Sequence, residues 1–178
     1  MYNSGEDLIR LCKEKNEKIY EIVLEKESSI SGCSEEEIRS KMNENLNVMM
    51  ESSKNALNCE VKSVGGLIGG DAMKMAKYAN TENTICGSMV NTAMAKALST
   101  SEINASMGKI VAAPTAGASG IIPAALLTAK EKFNLSEEKV INGLLTVSGI
   151  GEIIAKNATV SGAYGGCQAE CGDRKSVV

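Results

Sequence analysis

The stretch "VAAPTAGASGIIPAALLTA", residues 111–129, joins a loop almost bare of side chains to an apolar run that predicts a helix over residues 121–133. It holds both prolines of the chain, Pro114 and Pro123. Pro123 falls in the first turn of the predicted helix, where a missing backbone N–H costs nothing. Gly117 and Gly120 permit positive φ and the close approach of other atoms. The stretch therefore predicts a loop with fixed ends that leads into a helix.

The rest of the chain favours helices as well. Aromatic residues are scarce, with one Phe, four Tyr and no Trp, whereas there are nine Met. Methionine favours helices and aromatic residues favour strands. Residues 84–98 predict a helix with Lys96 as its only charge, and no alternation of polar and apolar residues lasts long enough for a sheet. We predict an all-α fold.

A further helix, capped by Ser136, is predicted to run to about residue 156 and is apolar nearly all round. Such a helix must be buried on all sides, which indicates the interior of something larger than these 178 residues. It contains Gly143, Gly149 and Gly151, each of which costs up to about 1 kcal/mol in a helix. Close packing between helices or an approaching ligand would offset that cost.

The composition changes near residue 62. Residues 1–62 hold more than half of the charged side chains, and all but two of the 17 glycines follow. Two amphipathic helices are predicted in the first part: one over residues 4–26, ended by the loop "SSISGC", and one that starts at a capping box of Ser34 and Glu37. We predict a charged helical hairpin over 1–62 and a glycine-rich helical core over 63–178, both in one folded unit.

Several classes of protein are excluded by composition. The net charge of -3 and the lack of a basic tract argue against nucleic acid as a partner. No apolar run has the length of a membrane span and no signal peptide is visible, so we expect a cytoplasmic protein without membrane partners. The chain has no histidine, which excludes Ser–His and Cys–His nucleophiles within it.

The loop over residues 114–120 is a candidate anion site. Backbone N–H groups and the positive end of the helix that follows would face a carboxylate or phosphate there. A tight connection without a ligand is the alternative. The segment "GGLIGGDAMK" is a weaker candidate, because no strand precedes it, and Asp71 in it is interpreted as a helix cap.

The six cysteines are expected to be reduced. Four of them are interpreted as buried or half-buried structural residues: Cys12, Cys33, Cys59 and Cys86. Cys167 and Cys171 are one helical turn apart and could share a metal or cluster, although two cysteines alone do not hold an iron–sulfur cluster. Their spacing leaves a metal site and a structural role open.

Three segments carry a resemblance when taken in this order: "GGLIGGDAMKM" (65–75), "MGKIVAAPTAGASGIIPAALLTA" (107–129) and "ATVSGAYGGCQAECG" (158–172). Together they resemble the α subunit of bacterial iron–sulfur-dependent L-serine dehydratase. The resemblance implies an all-helical part, an oxygen-sensitive [4Fe-4S] cluster that acts as a Lewis acid, and a β subunit, separate or fused, that completes the active site. The reaction it implies converts L-serine to pyruvate and ammonia in an oligomeric enzyme.

By the family motif, Cys167 in "GGCQAE" is the cluster ligand, and Cys171 is a weaker candidate. The catalytic base is not assigned. We predict that the substrate carboxylate binds the loop through Pro114, Thr115, Gly117, Ser119 and Gly120.

The sequence also departs from the family. The family's other cluster cysteines follow "GGCQAE" in a segment that this sequence lacks, Tyr164 stands where the family has Glu, and the ending "DRKSVV" is typical of a frameshift or premature stop. We therefore expect the cluster in the complete enzyme and not in this chain alone, which we expect to be inactive. One alternative is a non-catalytic helical fragment that keeps the fold but cannot hold the cluster. Another is a pyridoxal-phosphate lyase that uses Lys109.

Overall fold

The computed structural model describes residues 1–113 and 115–158 of the chain. Over these residues it contains seven α-helices, one short 3-10 turn and no strand beyond an isolated bridge between Lys62 and Gly69. The helices are α1 (Gly5–Lys15), α2 (Ile19–Ser31), α3 (Glu35–Asn55), α4 (Asp71–Ala79), α5 (Gly87–Ala105), α6 (Ile121–Phe133) and α7 (Glu137–Asn157). The 3-10 turn is Ala116–Ala118. The prediction of an all-α fold is confirmed.

The first predicted helix is two helices, so that prediction was wrong. α1 ends at Asn16, which adopts the left-handed conformation with φ 56 and donates its N–H to the carbonyl of Cys12. α2 then runs through the segment that was predicted to be a loop and ends at Gly32, whose φ is 70. Asparagine tolerates the left-handed region better than most residues, so a single side chain ends α1 inside an apolar pattern that continues.

Other local signals were read correctly. The capping box at the start of α3 is present: Ser34 donates its N–H to Glu37 Oε2 at 2.8 Å, and Ser34 Oγ accepts the N–H of Glu37 at 3.3 Å. α6 has the predicted bounds, and α7 ends one residue later than predicted. α5 begins at Gly87 rather than at residue 84, and it continues to Ala105.

The chain divides into two compact units. The first unit contains residues 1–44 and the described residues from Glu137 onward, and α2 packs against α7 in it. Its core has two clusters of buried side chains: Tyr2, Leu8, Ile22 and Val23 form one, and Leu24, Ile38 and Leu145 form the other. A Cβ at Gly149 would overlap Cγ2 of Val23, so this glycine lets α7 approach α2, as the packing hypothesis predicted. A Cβ at Gly151 would meet nothing within 4 Å, so that hypothesis does not explain Gly151.

A partly buried ion pair also lies in the first unit. Lys26, whose side chain is 7% exposed, donates to both carboxylate oxygens of Glu152 at 2.8 and 2.7 Å. Lys26 Nζ lies 3.7 Å from the ring centre of Tyr2, and the Tyr2 hydroxyl donates to Glu152 Oε2 at 3.4 Å. Burial and the neighbouring Glu152 carboxylate raise the pKa of Tyr2. These three side chains link the start of the chain to α2 and α7.

The second unit contains Asn45–Ser136. α4 packs along α5, and α5 packs against α6. Ser99 Oγ accepts the N–H of Ala56 at 3.1 Å and donates to the carbonyl of Ser52 at 2.7 Å, which fixes the end of α3 on α5. Lys96 is buried and its Nζ lies 2.5 Å from Glu131 Oε2 on α6. The predicted boundary between 1–62 and 63–178 stays a prediction.

In the described ranges, no helix combines the length and the apolar character that crossing a membrane would require.

Candidate functional site

Both candidate glycine-rich segments are attached by hydrogen bonds to the last turns of α5. Ala105 accepts the backbone N–H of Val64 at 3.2 Å, which anchors the loop before α4. Asn104 Nδ2 donates to the carbonyl of Ala116 at 3.3 Å, which anchors the loop before α6. Because both loops attach to neighbouring residues of one helix end, segments 65–75 and 107–129 are brought to the same part of the second unit.

Glu102 on α5 supplies the N-terminal cap of α4. Its Oε1 accepts the backbone N–H groups of Asp71 at 2.6 Å and Ala72 at 3.0 Å, and its side chain is buried. The N-cap position itself is Gly70, which has no side chain to perform this role. Within the described residues, the second oxygen of Glu102 is buried without a hydrogen-bond partner.

The expectation that Asp71 caps α4 was wrong. Asp71 is the first residue of the helix, and its exposed carboxylate accepts from Lys74 Nζ at 3.0 Å. A cap from Glu102 could not be read from local sequence, since the acceptor lies 31 positions after the first donor.

The predicted substrate loop has an exposed half and a buried half. Thr115 is extended, with φ -117 and ψ 161, and the chain then makes the 3-10 turn Ala116–Ala118. Ala116 and Gly117 are exposed and Thr115 is half-buried, whereas Ala118, Ser119 and Gly120 are buried. Pro114 lies outside the described residues. A ligand in solvent can therefore reach the first half of the loop.

Gly120 is required by packing within the chain. A Cβ at this position would lie 2.5 Å from the carbonyl oxygen of Ala97 on α5, so only glycine allows the start of α6 to sit so close to that helix. Its φ is -79, so the positive φ that the sequence permitted is not used. The predicted close approach exists, and it is made by the backbone of α5.

The hydrogen-bond donors of Ser119 are also paired within the loop. Its hydroxyl donates to the carbonyl of Ala116 at 2.8 Å, and its backbone N–H bonds to the same carbonyl at 3.2 Å. The side chain is 1% exposed. Ser119 thus shapes the turn that presents Thr115 and Gly117.

The start of α6 follows directly. Pro123 is the third residue of α6 and is buried, so the prediction that it lies in the first turn is confirmed. The first N–H groups of a helix have no acceptor inside the helix, and the helix dipole gives that end a partial positive charge. The start of α6 therefore carries a partial positive charge, and its residues Gly120, Ile122 and Pro123 are buried.

Lys109, the residue that a pyridoxal-phosphate mechanism would need, is exposed. Schiff-base lysines are activated by desolvation or by a neighbouring cation. This position therefore gives that alternative no support.

The described cysteines do not form a metal site. Cys12 and Cys33 are half-buried as predicted, but Cys59 and Cys86 are exposed, which corrects the expectation that they are buried or half-buried. Across residues 1–113 and 115–158, no group of three or more Cys, Asp or Glu side chains is placed to hold a metal ion. A [4Fe-4S] cluster needs cysteine thiolates, so this part of the chain does not fit one by itself. Cys167, Cys171 and Tyr164 lie outside the described residues.

Comparison with known proteins supports the resemblance to serine dehydratase alpha chains. The family model for the serine dehydratase alpha chain matches residues 14–174. The L-serine dehydratase alpha chain of Peptoniphilus asaccharolyticus is 48% identical over 99% of this chain and 61% of its own length. The probable alpha chain of Bacillus subtilis is 39% identical over 97% of this chain and 57% of its own. The L-serine dehydratase of Helicobacter pylori strain J99 is 30% identical over 99% of this chain and 39% of its own.

This chain thus spans about three fifths of the two alpha chains. No solved structure gives a significant match. Since the family model covers most of the sequence, the chain belongs to the serine dehydratase alpha-chain family.

Proposed function

We propose that this chain is the helical α component of an L-serine dehydratase that converts L-serine to pyruvate and ammonia in the cytoplasm. The observation that carries the proposal is the attachment of both glycine-rich family segments to the end of α5, through Ala105, Glu102 and Asn104. Membership of the family supports the reaction. The complete enzyme also contains a β subunit and is an oligomer.

The substrate carboxylate binds the exposed half of the loop that precedes α6 in this proposal. Thr115 and Gly117 lie on the reachable half of the loop and would donate to it. Ser119 and Gly120 act indirectly. The Ser119 hydroxyl stabilises the turn, and Gly120 allows the loop to pack closely against α5. Pro114 would fix the entry to the loop. Charge-assisted hydrogen bonds to a carboxylate are roughly twice as strong as neutral ones, so a few donors here would orient the substrate.

In the complete enzyme a [4Fe-4S] cluster would supply a Lewis acid that makes the serine hydroxyl a better leaving group. By the family motif, Cys167 would be a ligand, with Cys171 a weaker candidate. The described residues contribute binding and orientation: the loop holds the carboxylate, and Glu102 fixes the neighbouring helix.

The test is to assemble the enzyme. This chain is produced anaerobically with a β chain and with the part of the Peptoniphilus asaccharolyticus alpha chain that this sequence does not match, and iron and sulfide are supplied. We expect pyruvate from L-serine in the full assembly and none from this chain alone. An assembly that folds but takes up no iron and sulfide and releases no pyruvate would favour the non-catalytic helical fragment.

A further inference from the structure

The first half of α5, together with Ile85 just before it, exposes an apolar surface. Four large side chains form it, and we call them the α5 surface: Ile85 (96% exposed), Met89 (49%), Val90 (43%) and Met94 (43%). No charged residue lies between Glu82 and Lys96. Scattered exposed apolar residues are normal in proteins, but several of them close together in an uncharged stretch are typical of an interaction site.

The α5 surface lies on the same side of the helix as a residue that is less exposed further along. Val90, Met94 and Ala97 follow the i, i+4, i+7 spacing and therefore share one side of α5. Ala97 is half-buried, and the backbone of Gly120 lies close to its carbonyl group. At Val90 and Met94 the same side is open, although the side chains there are as apolar as those of a core.

Two other exposed apolar residues on helices have charged residues near them. Ile9 on α1 lines a surface groove with Glu6 and Lys13, and Phe133 on α6 is about one helical turn from Lys130. Gly87, at the start of α5, has φ 75 and open space within 4 Å of where its Cβ would be. The start of α5 is therefore exposed to solvent, and the described residues leave its apolar side exposed.

We propose that the α5 surface is covered by the portion of a serine dehydratase alpha chain that this sequence does not match. That portion exists in relatives, since this chain spans 61% and 57% of two alpha chains. Methionine-rich, uncharged helix faces accept an apolar helix laid along them. A segment joined to the same polypeptide has a high effective concentration and covers such a face as the chain folds. A separately made subunit would leave the face exposed until it met its partner. The proposal rests on family membership and does not depend on the reaction.

The test uses purified full-length chain and a polypeptide made of the unmatched portion of the Peptoniphilus asaccharolyticus alpha chain. We expect a one-to-one complex by sedimentation. Val90→Lys and Met94→Lys should each weaken it by about tenfold or more, because a charge would enter an apolar contact. Phe133→Lys is the matched control in the same unit and should leave the affinity unchanged.

A second measurement needs no substitution. Peroxide should oxidise Met89 and Met94 more slowly in the complex than in the free chain, while Met1, which is 86% exposed, should react equally in both. The proposal is overturned if no complex forms, if both lysine variants bind like the unmodified chain, or if Met89 and Met94 are not protected. It is also overturned if a second copy of this chain, or a β chain, occupies the α5 surface instead.

Discussion

The carboxylate of Glu102 on α5 accepts the backbone N–H of Asp71, the first residue of α4, at 2.6 Å. The bond joins positions 31 residues apart and is buried at the acceptor. A residue of α5 thus accepts hydrogen bonds from the N-terminal N–H groups of α4, and this fixes the start of α4 against the end of α5. The orientation of the glycine-rich loop before α4 therefore depends on Glu102.

We expect Glu102→Ala to lower the free energy of unfolding by about 2–3 kcal/mol, because two helix N–H groups lose their acceptor inside the protein. Glu102→Gln keeps an acceptor oxygen and should cost less. Asp71→Asn, at the exposed residue, should cost no more than about 1 kcal/mol. Urea unfolding measures all three. A larger loss for Asp71→Asn than for Glu102→Ala would mean that Asp71 is the cap.

The two glycines in the second half of α7 should respond oppositely to alanine. At Gly149 the added methyl group would overlap Val23, so Gly149→Ala should destabilise the first unit by about 1–3 kcal/mol. At Gly151 the methyl group meets nothing within 4 Å, so Gly151→Ala should stabilise the helix by about 0.5–1 kcal/mol. Thermal unfolding of the two variants is the measurement. Equal effects would contradict the close packing of α7 on α2.

A feature could be predicted from the sequence when the residues that determine it lie close together along the chain. The capping box of Ser34 and Glu37 and the bounds of α6 depend on residues a few positions apart, so local pattern was sufficient. The end of α1 at Asn16 was missed because the apolar period continues past it. The role of Glu102 was missed because its partners come from another helix.

In the candidate site, too, local features could be predicted from the sequence and features that depend on packing could not. The small residues of the substrate loop were recognised from sequence, but the reason for Gly120 was not, since the carbonyl of Ala97 is brought to it by the packing of α5 against α6. Likewise, the exposure of Cys59 and Cys86 depends on which faces the neighbouring helices cover. Spacing along the chain does not contain that information.

Stability should fall at alkaline pH through Tyr2. Burial and the Glu152 carboxylate raise the pKa of Tyr2 above its ordinary value of 10.0. The unfolded chain therefore loses this proton at a lower pH than the folded protein does. The protonated Tyr2 hydroxyl contributes fully to the free energy of unfolding below pH 10, and this contribution decreases as the pH rises above 10.

Tyr2→Phe is the matched variant, because it keeps the ring under Lys26 and removes the hydroxyl. Unfolding followed by urea between pH 8 and pH 11, a range about the ordinary tyrosine pKa, should show a weaker alkaline loss for Tyr2→Phe. The same slope in both proteins would mean that Tyr2 does not cause the loss.

The last prediction concerns the loop before α6. If it binds the serine carboxylate, L-serine should shift the backbone amide resonances of Thr115, Gly117 and Ile121 in an NMR titration of this chain. L-serinamide, which lacks the carboxylate, should shift them much less. Thr115→Val should reduce the response by removing a hydroxyl donor, since a hydrogen bond to a charged group contributes about 1.5–3 kcal/mol.

Gly120 is unsuitable for this test. A side chain there would press on the carbonyl of Ala97 and separate α5 from α6, so a loss of binding in Gly120→Val would report packing rather than recognition. Thr115 lies on the reachable half of the loop, where Thr115→Val changes chemistry more than shape. If L-serine and L-serinamide give equal shifts, or neither gives any, the loop does not recognise the carboxylate. Its glycine at 120 would then be explained entirely by the contact with α5.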